Sequence, residues 1–126
     1  MTRVSALGEY LRYHSALPPR LRELAILVTA AQWKQAFEWE IHAPIALEAG
    51  IPQSVLDALW SGLAPPGFAG DQQVIYDLCL SVQCDRLPNR ELVARAEALL
   101  GDQAAIDAIA LCGYYGLLAM ILNSYC

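Results

Sequence analysis

Apolar residues recur along this chain at the spacing of helices rather than of strands. The sequence contains no run of alternating Val, Ile and Thr residues and no Asn-Gly or Asp-Gly hairpin signal. Pro and Gly punctuate the pattern at intervals typical of helix ends. The pattern therefore predicts an all-α fold of six to seven helices.

Capping residues and helix breakers set the helix boundaries. Ser, Thr, Asp and Asn cap helix N-termini, whereas Gly favours a left-handed C-terminal cap. The predicted helices span about residues 2–15, 19–33, 35–49, 53–60, 71–84, 89–100 and from 102 through the C-terminal segment. The predicted N-caps are Thr2, Asp71, Asn89 and Asp102, and Gly50 is the predicted C-cap of the third helix. The Pro- and Gly-rich stretch 61–70 is predicted to be a surface loop.

The C-terminal segment tests whether the chain crosses a membrane. Residues 108–126 carry no charged side chain, but the almost wholly apolar part, 108–122, is shorter than the ~20 residues that a bilayer span needs. The segment also contains two glycines and lacks a basic flank. We therefore expect a helix buried in the protein or in an oligomer interface, and no membrane partner.

The composition narrows the possible domain organisation, partners and cellular compartment of the protein. The 126 residues are 56% hydrophobic, which predicts a single domain over 1–126 with a sizeable core. A net charge of -5 argues against nucleic acid as a partner. The four cysteines are irregularly spaced and the N-terminus lacks the apolar run of a signal peptide, so we expect reduced thiols in the cytoplasm. No G-x-G-x-x-G or Walker motif is present, and no cofactor is predicted.

The third predicted helix holds the candidate chemistry. Glu38 and His42 are four residues apart, so their side chains share a face, and a carboxylate beside an imidazole favours general acid/base work. The same spacing also fits an ordinary surface pair worth ~0.2–0.5 kcal/mol. Glu40 points away and is expected to be solvated. The only other histidine, His14, falls on another helix, so no metal site is predicted.

Two stretches carry a resemblance to a known family. They are Leu-Pro-Pro-Arg-Leu-Arg-Glu-Leu-Ala-Ile-Leu-Val at 17–28 and Glu-Trp-Glu-Ile-His-Ala-Pro-Ile-Ala-Leu-Glu-Ala-Gly-Ile at 38–51. Together they resemble the carboxymuconolactone decarboxylase family, which includes the AhpD-type alkylhydroperoxidases. The ending at 113–123 is similar to the family's C-terminal helix. The resemblance implies an AhpD-like helical domain that assembles as a homotrimer or homohexamer.

The peroxidase branch of the family implies a register in which Glu23 and His42 match the proton-relay residues. Gln35 and Glu38 occupy the positions of that branch's two cysteines. Because neither side chain can form a sulfenic acid, the thiol peroxidase mechanism cannot operate at these positions. The decarboxylase branch is similar in pairing a glutamate with a histidine, here Glu38 and His42. It acts on a small lactone that bears carboxylates.

The arginines upstream, Arg20 and Arg22, match that branch as plausible carboxylate clamps. A structural role is the alternative, in which Arg20 pairs with Glu23 and Arg22 faces water. Aromatic residues at helical spacing are more typical of a core or interface than of a ligand site. In this chain they are Trp33, Phe37, Trp39 and Trp60.

Three functional hypotheses follow. The first is an acid/base enzyme of the decarboxylase type acting on a small molecule, in which His42 is general base or acid, Glu38 orients it and Glu23 completes the relay. The second is a peroxiredoxin-type antioxidant protein. The third is a non-catalytic binding or assembly module that kept the fold.

Overall fold

The computed structural model describes residues 2–68, 70–85 and 89–125, and these form seven α-helices and no strand. The helices are α1 (Arg3–Tyr13), α2 (Pro19–Gln32), α3 (Ala36–Glu48), α4 (Gln53–Ser61), α5 (Gly70–Cys84), α6 (Arg90–Leu100) and α7 (Asp102–Tyr125). The all-α prediction and the number of helices are confirmed.

The predicted caps are mostly present. The Thr2 side chain accepts a hydrogen bond from the Ser5 amide, and that of Asn89 accepts one from the Glu91 amide. Gly50 takes a positive φ of 105° after α3. Asp71 and Asp102 are exceptions, because they lie in the first turns of α5 and α7 rather than at the N-cap positions. In the first turn, their negative charges still interact favourably with the positive end of the helix dipole.

Helix α2 is the centre of the fold, and α3, α4, α5 and α7 pack around it. Every residue from Glu23 to Ala31 is buried, so α2 is apolar on almost all sides. Glu23 is the ionisable group in that buried stretch. A carboxylate in such surroundings needs partners, and these come from α3 and from its own neighbour.

Helix α7 packs against α1, α2, α5 and α6. Within the described residues, α7 is the one helix that is long and apolar enough to span a membrane, judged by length and composition. Of its most apolar stretch, 44% is buried inside the fold. Its Asp107 is buried and accepts hydrogen bonds from the Tyr10 hydroxyl and the Ala16 amide. A core helix meets the same length and composition criteria, so α7 by itself is no evidence of a membrane span.

Candidate functional site

Helices α2 and α3 bring Glu23 and His42 into direct contact. Glu23 Oε1 lies 2.6 Å from His42 Nδ1, and both residues are buried, with 2% and 6% of their surface exposed. The contact joins residues nineteen positions apart, so it depends on the packing of the two helices and not on local sequence. Sequence matching placed both residues in one relay, and the structure brings them together.

Glu38 faces the other nitrogen of the same imidazole. Its Oε2 lies 3.5 Å from His42 Nε2, within the i,i+4 pairing that the spacing predicted. The Gln35 side chain caps α3 by accepting hydrogen bonds from the amides of Phe37 and Glu38, and so fixes the first turn that carries Glu38. His42 is thus held between two carboxylates. Glu40 is exposed, as expected.

Two further side chains complete the surroundings of the imidazole. Arg22 Nε donates a hydrogen bond of 2.9 Å to Glu23 Oε2, so both oxygens of this carboxylate have a partner. Tyr115 of α7 lies edge-on to the His42 ring, with the ring centroids 5.4 Å apart. Nothing in the sequence pattern pointed to Tyr115, because its contact with α3 depends on how α7 packs.

Glu23 and His42 each stabilise the charged form of the other. Burial opposes the charged form of His42, but the hydrogen bonds to Glu23 and Glu38 outweigh it and raise the pKa of the imidazole to about 9. Burial likewise opposes ionisation of Glu23, yet its hydrogen bonds to His42 and Arg22 bring the net pKa below its usual value. Burial raises the pKa of the Tyr115 hydroxyl. At neutral pH the site therefore holds an imidazolium paired with the Glu23 carboxylate, beside a neutral tyrosine.

The contacts of Arg20 and Arg22 differ from those that the structural alternative predicted for them. Arg20 does not pair with Glu23, since its Nη2 lies 2.6 Å from Asp71 Oδ2 on α5. Arg22 does not simply face water, because it binds Glu23 and also donates to the backbone oxygen of Arg12. The i,i+3 prediction failed because α5 offers Arg20 a carboxylate that sequence spacing could not reveal.

The aromatic residues do not form a common wall. Trp39 and Trp60 pack on each other with centroids 5.0 Å apart and lie against the core. Trp33 and Phe37 are exposed in the described protomer, so neither belongs to its core, and an interface role for them stays a prediction. Trp33 lines a pocket beside Gly116 of α7.

Three pockets of the described structure lie away from His42. One, of about 510 Å³, opens between α2, α5 and α7 and is lined by residues that include Cys112 and Trp33. Two smaller ones, of about 240 and 330 Å³, lie against α4 and α5 and against α5 and α6. Glu23, Glu38 and His42 line none of these three. Glu38 and His42 each keep a small exposed fraction of their side chains.

The side chains around His42 bear on metal and thiol chemistry as well. Within the ranges that the structure describes, no group of three or more His, Cys, Asp and Glu side chains is arranged to hold a metal ion. Gln35 and Glu38 stand where the peroxidase branch has its cysteines, and both are engaged in hydrogen bonds or an ion pair. The site consequently offers protons and charge, and no sulfur nucleophile.

Comparison with known proteins places the chain at the level of a family. No curated protein and no solved structure matches it. The model of the Carboxymuconolactone decarboxylase family matches residues 1–72, a stretch that includes Glu23, Glu38 and His42. Because this match extends over more than half of the 126 residues, the chain belongs to the carboxymuconolactone decarboxylase family.

Proposed function

We propose that the protein is a cytoplasmic acid/base enzyme of the decarboxylase type that acts on a small carboxylated lactone or keto acid. The single observation that carries this proposal is the buried 2.6 Å contact between Glu23 and His42, with Glu38 on the opposite ring nitrogen. Family membership supports the reaction class, and the replacement of both peroxidase cysteines argues against thiol chemistry at this site.

A buried set of charges of this kind needs an explanation beyond folding. Removing ions from water costs several kcal/mol each, and well-packed apolar residues often stabilise a protein as much or more. Glu23 nevertheless interrupts the most deeply buried helix of the fold. Glu23 and His42 have shifted pKa values, and such groups cluster at functional sites, which supports a catalytic role for this pair.

The proposed chemistry uses His42 as a proton donor. Loss of carbon dioxide from a keto acid breaks a carbon–carbon bond and leaves its electron pair on the enolate of the product. The imidazolium Nε2–H stabilises the developing negative charge and then protonates the product. Glu23 holds Nδ1 and keeps the ring charged, so it is the orienting carboxylate in this proposal. Glu38, beside Nε2, relays a proton from solvent water to Nε2 between turnovers.

Arg12 is the cation that we assign to the substrate carboxylate. Arg20 and Arg22 are already bound to Asp71 and Glu23. Arg12 forms no ion pair with any described residue, and its charge acts on the Tyr115 hydroxyl, next to His42. A guanidinium is suited to bind a carboxylate through two parallel hydrogen bonds.

The test is release of carbon dioxide or ring opening from a panel of carboxylated lactones and keto acids, followed by NMR. We expect turnover by the wild type, its loss in His42→Gln, and a raised KM in Arg12→Gln. His14→Gln is the matched control, because His14 is exposed at the end of α1 and should leave the rate unchanged. Turnover that persists in His42→Gln would contradict the proposal.

A non-catalytic binding or assembly module is the second candidate. The observation that favours it is the absence of Glu23, Glu38 and His42 from the linings of the three pockets of the described chain. This candidate predicts that no member of the panel is turned over.

A further inference from the structure

Tyr115 is a buried tyrosine that lies beside His42 with an unpaired hydroxyl. The residue is 3% exposed. Its ring meets the imidazole edge-on, with centroids 5.4 Å apart and an interplanar angle of 86°. A tyrosine buried to this degree usually has a hydrogen-bond partner for its O–H group. Within the described part of the chain the Tyr115 hydroxyl has none, so the fold by itself does not account for it.

The Tyr115 hydroxyl also remains accessible from outside the protein. Among the described residues, two side-chain atoms are fully buried and lack a hydrogen-bond partner, namely Arg20 Nε and Gln83 Oε1. The Tyr115 oxygen lacks a partner but is not one of these two atoms, so it retains accessible surface. A hydroxyl in this state is able to donate to a ligand without first breaking a hydrogen bond inside the protein.

Packing against α1 and α7 fixes the position of the Tyr115 ring. Tyr114 contacts it in a T-shaped arrangement, with centroids 5.2 Å apart. The Tyr114 hydroxyl in turn lies over Gly8 of α1, where an added Cβ would overlap it. A donor held in place before a substrate arrives needs little reorganisation when charge develops next to it.

The Tyr115 hydroxyl keeps its proton at neutral pH. Burial raises its pKa, the charge of Arg12 opposes this shift, and the charges of Glu38 and Glu23 add to it. A neutral phenol donates a hydrogen bond and places no negative charge beside the carboxylate of a substrate. Tyr115 therefore has the properties of a donor and not of a base.

The proposed reaction needs a second donor beside His42. The electron pair of the broken carbon–carbon bond ends on an enolate oxygen, whereas the new proton is added to carbon. His42 has one ring N–H available for both tasks, on Nε2, because Nδ1 is bound to Glu23. A separate donor on the oxygen leaves Nε2–H free to protonate the carbon.

We propose that the Tyr115 hydroxyl binds the substrate oxygen on which negative charge develops, an inference that rests on the proposed function. As the bond to the departing carboxylate breaks, its electron pair forms a carbon–carbon double bond, and the carbonyl oxygen becomes an enolate that accepts a hydrogen bond from Tyr115. Carbon dioxide leaves, His42 Nε2 gives its proton to the carbon, and the carbonyl re-forms. The substrate class that fits is an acid with a carbonyl group β to the carboxylate that leaves.

Tyr115→Phe tests this role, because it removes the hydroxyl and keeps the ring that packs on His42. We expect kcat for decarboxylation of β-keto acids to fall about 10²–10³-fold. KM should stay close to that of the wild type, since the hydrogen bond strengthens only as charge develops. Tyr114→Phe is the matched control, with the same change at the adjacent residue of α7, and should keep the wild-type kcat. Circular dichroism and thermal unfolding verify that both variants fold.

Binding of oxalate tests the same hydrogen bond without turnover. Oxalate resembles the enolate of a 2-keto acid in shape and charge. Isothermal titration calorimetry at pH 7 should give a Kd about ten- to one-hundred-fold higher for Tyr115→Phe than for the wild type, because a hydrogen bond to a charged group is lost. Tyr114→Phe should bind oxalate as the wild type does.

The two measurements distinguish this inference from the proposed function. If the wild type decarboxylates a β-keto acid and Tyr115→Phe has the same kcat, the role of Tyr115 is wrong and the proposed function stands. If no acid is decarboxylated but Tyr115→Phe still weakens oxalate binding, the proposed reaction is wrong and Tyr115 remains the donor to a bound anion. Oxalate binding that is absent from the wild type, or equally tight in Tyr115→Phe, overturns the inference.

Discussion

Glu23 and His42 each hold a charge that the interior would otherwise disfavour. The carboxylate keeps the imidazole protonated, while the imidazolium and Arg22 keep the carboxylate ionised. Replacing either partner would leave a buried charge without its counterion, which is more costly than the pair itself. Substitutions of Glu23 and His42 should therefore preserve the shape of the side chain, so that a loss of catalysis can be distinguished from a loss of folding.

The His42–Glu23 pair makes stability depend on pH in a direction that can be derived. Because the His42 pKa is raised from 6.5 to about 9, its contribution is complete below about pH 6.5 and is lost as the pH rises through about 9. The lowered pKa of Glu23 has the opposite consequence, since its contribution is present above pH 4.5 and is lost in acid. We expect the free energy of unfolding to fall by about 1–3 kcal/mol between pH 6.5 and 9.

The measurement is urea unfolding at several pH values, compared between wild type and His42→Gln. The difference between the two proteins removes the contribution of cysteines and the amino terminus, which titrate in the same range. His14→Gln should retain the full wild-type pH dependence, because that histidine is exposed. Parallel pH profiles for wild type and His42→Gln would refute the raised pKa.

Local capping explains why the helices could be predicted from sequence. The side chains of Thr2 and Asn89 cap the amides that follow them, and Gly50 ends α3, all within a few residues. The contact of Glu23 with His42 could not be found this way, since His42 lies on another helix. The resemblance supplied Glu23 and His42 as one relay, whereas the contact of Tyr115 with His42 required the packing of α7.

Gln35 shows how a position that carries sulfur in the peroxidase branch serves structure in this protein. Its Oε1 takes the free amides at the start of α3, and its Nε2 donates to Asn123 Oδ1 of α7 at 2.6 Å. Asn123 in turn donates to the Trp33 carbonyl. The residue thus joins the ends of α2, α3 and α7, at the turn that orients Glu38.

We expect Gln35→Ala to lower the free energy of unfolding by about 1–2 kcal/mol, because it removes the cap and the bond to α7 together. Gln35→Glu keeps the acceptor for the cap but loses the donor to Asn123, so it should show a smaller loss. Gln53→Ala, at the exposed start of α4, is the matched control and should change stability by less than about 0.5 kcal/mol. Equal melting of Gln35→Ala and Gln53→Ala would show that the cap contributes nothing.

At the scale of the whole molecule, two exposed apolar stripes have no cover within the described protomer. The α3 stripe consists of Phe37, Ile41 and Ile45, which share one face at four-residue spacing. The α7 stripe consists of Leu117, Met120 and Ile121. Phe37 and Ile41 each stand one residue before Glu38 and His42, about 100° round the helix, so the α3 stripe borders the face that carries the proposed site.

We propose that further copies of the chain cover these stripes, in the trimer or hexamer that the family resemblance implies. Burial of apolar surface drives such assembly, and a charge placed in the interface opposes it. Ile41→Glu should therefore shift the wild-type oligomer to monomer in size-exclusion chromatography with light scattering. Leu99→Glu changes an equally exposed apolar residue of α6, outside both stripes, and should leave the assembly intact.

Loss of assembly should also affect the proposed chemistry, because the exposed edges of Glu38 and His42 would then face bulk water, which screens their charges. We expect Ile41→Glu to lose turnover together with assembly, and Leu99→Glu to keep both. A wild type that elutes as a monomer, or an Ile41→Glu monomer with the wild-type rate, would show that one protomer forms the complete site. In that case the exposed stripes would have to serve something other than catalysis.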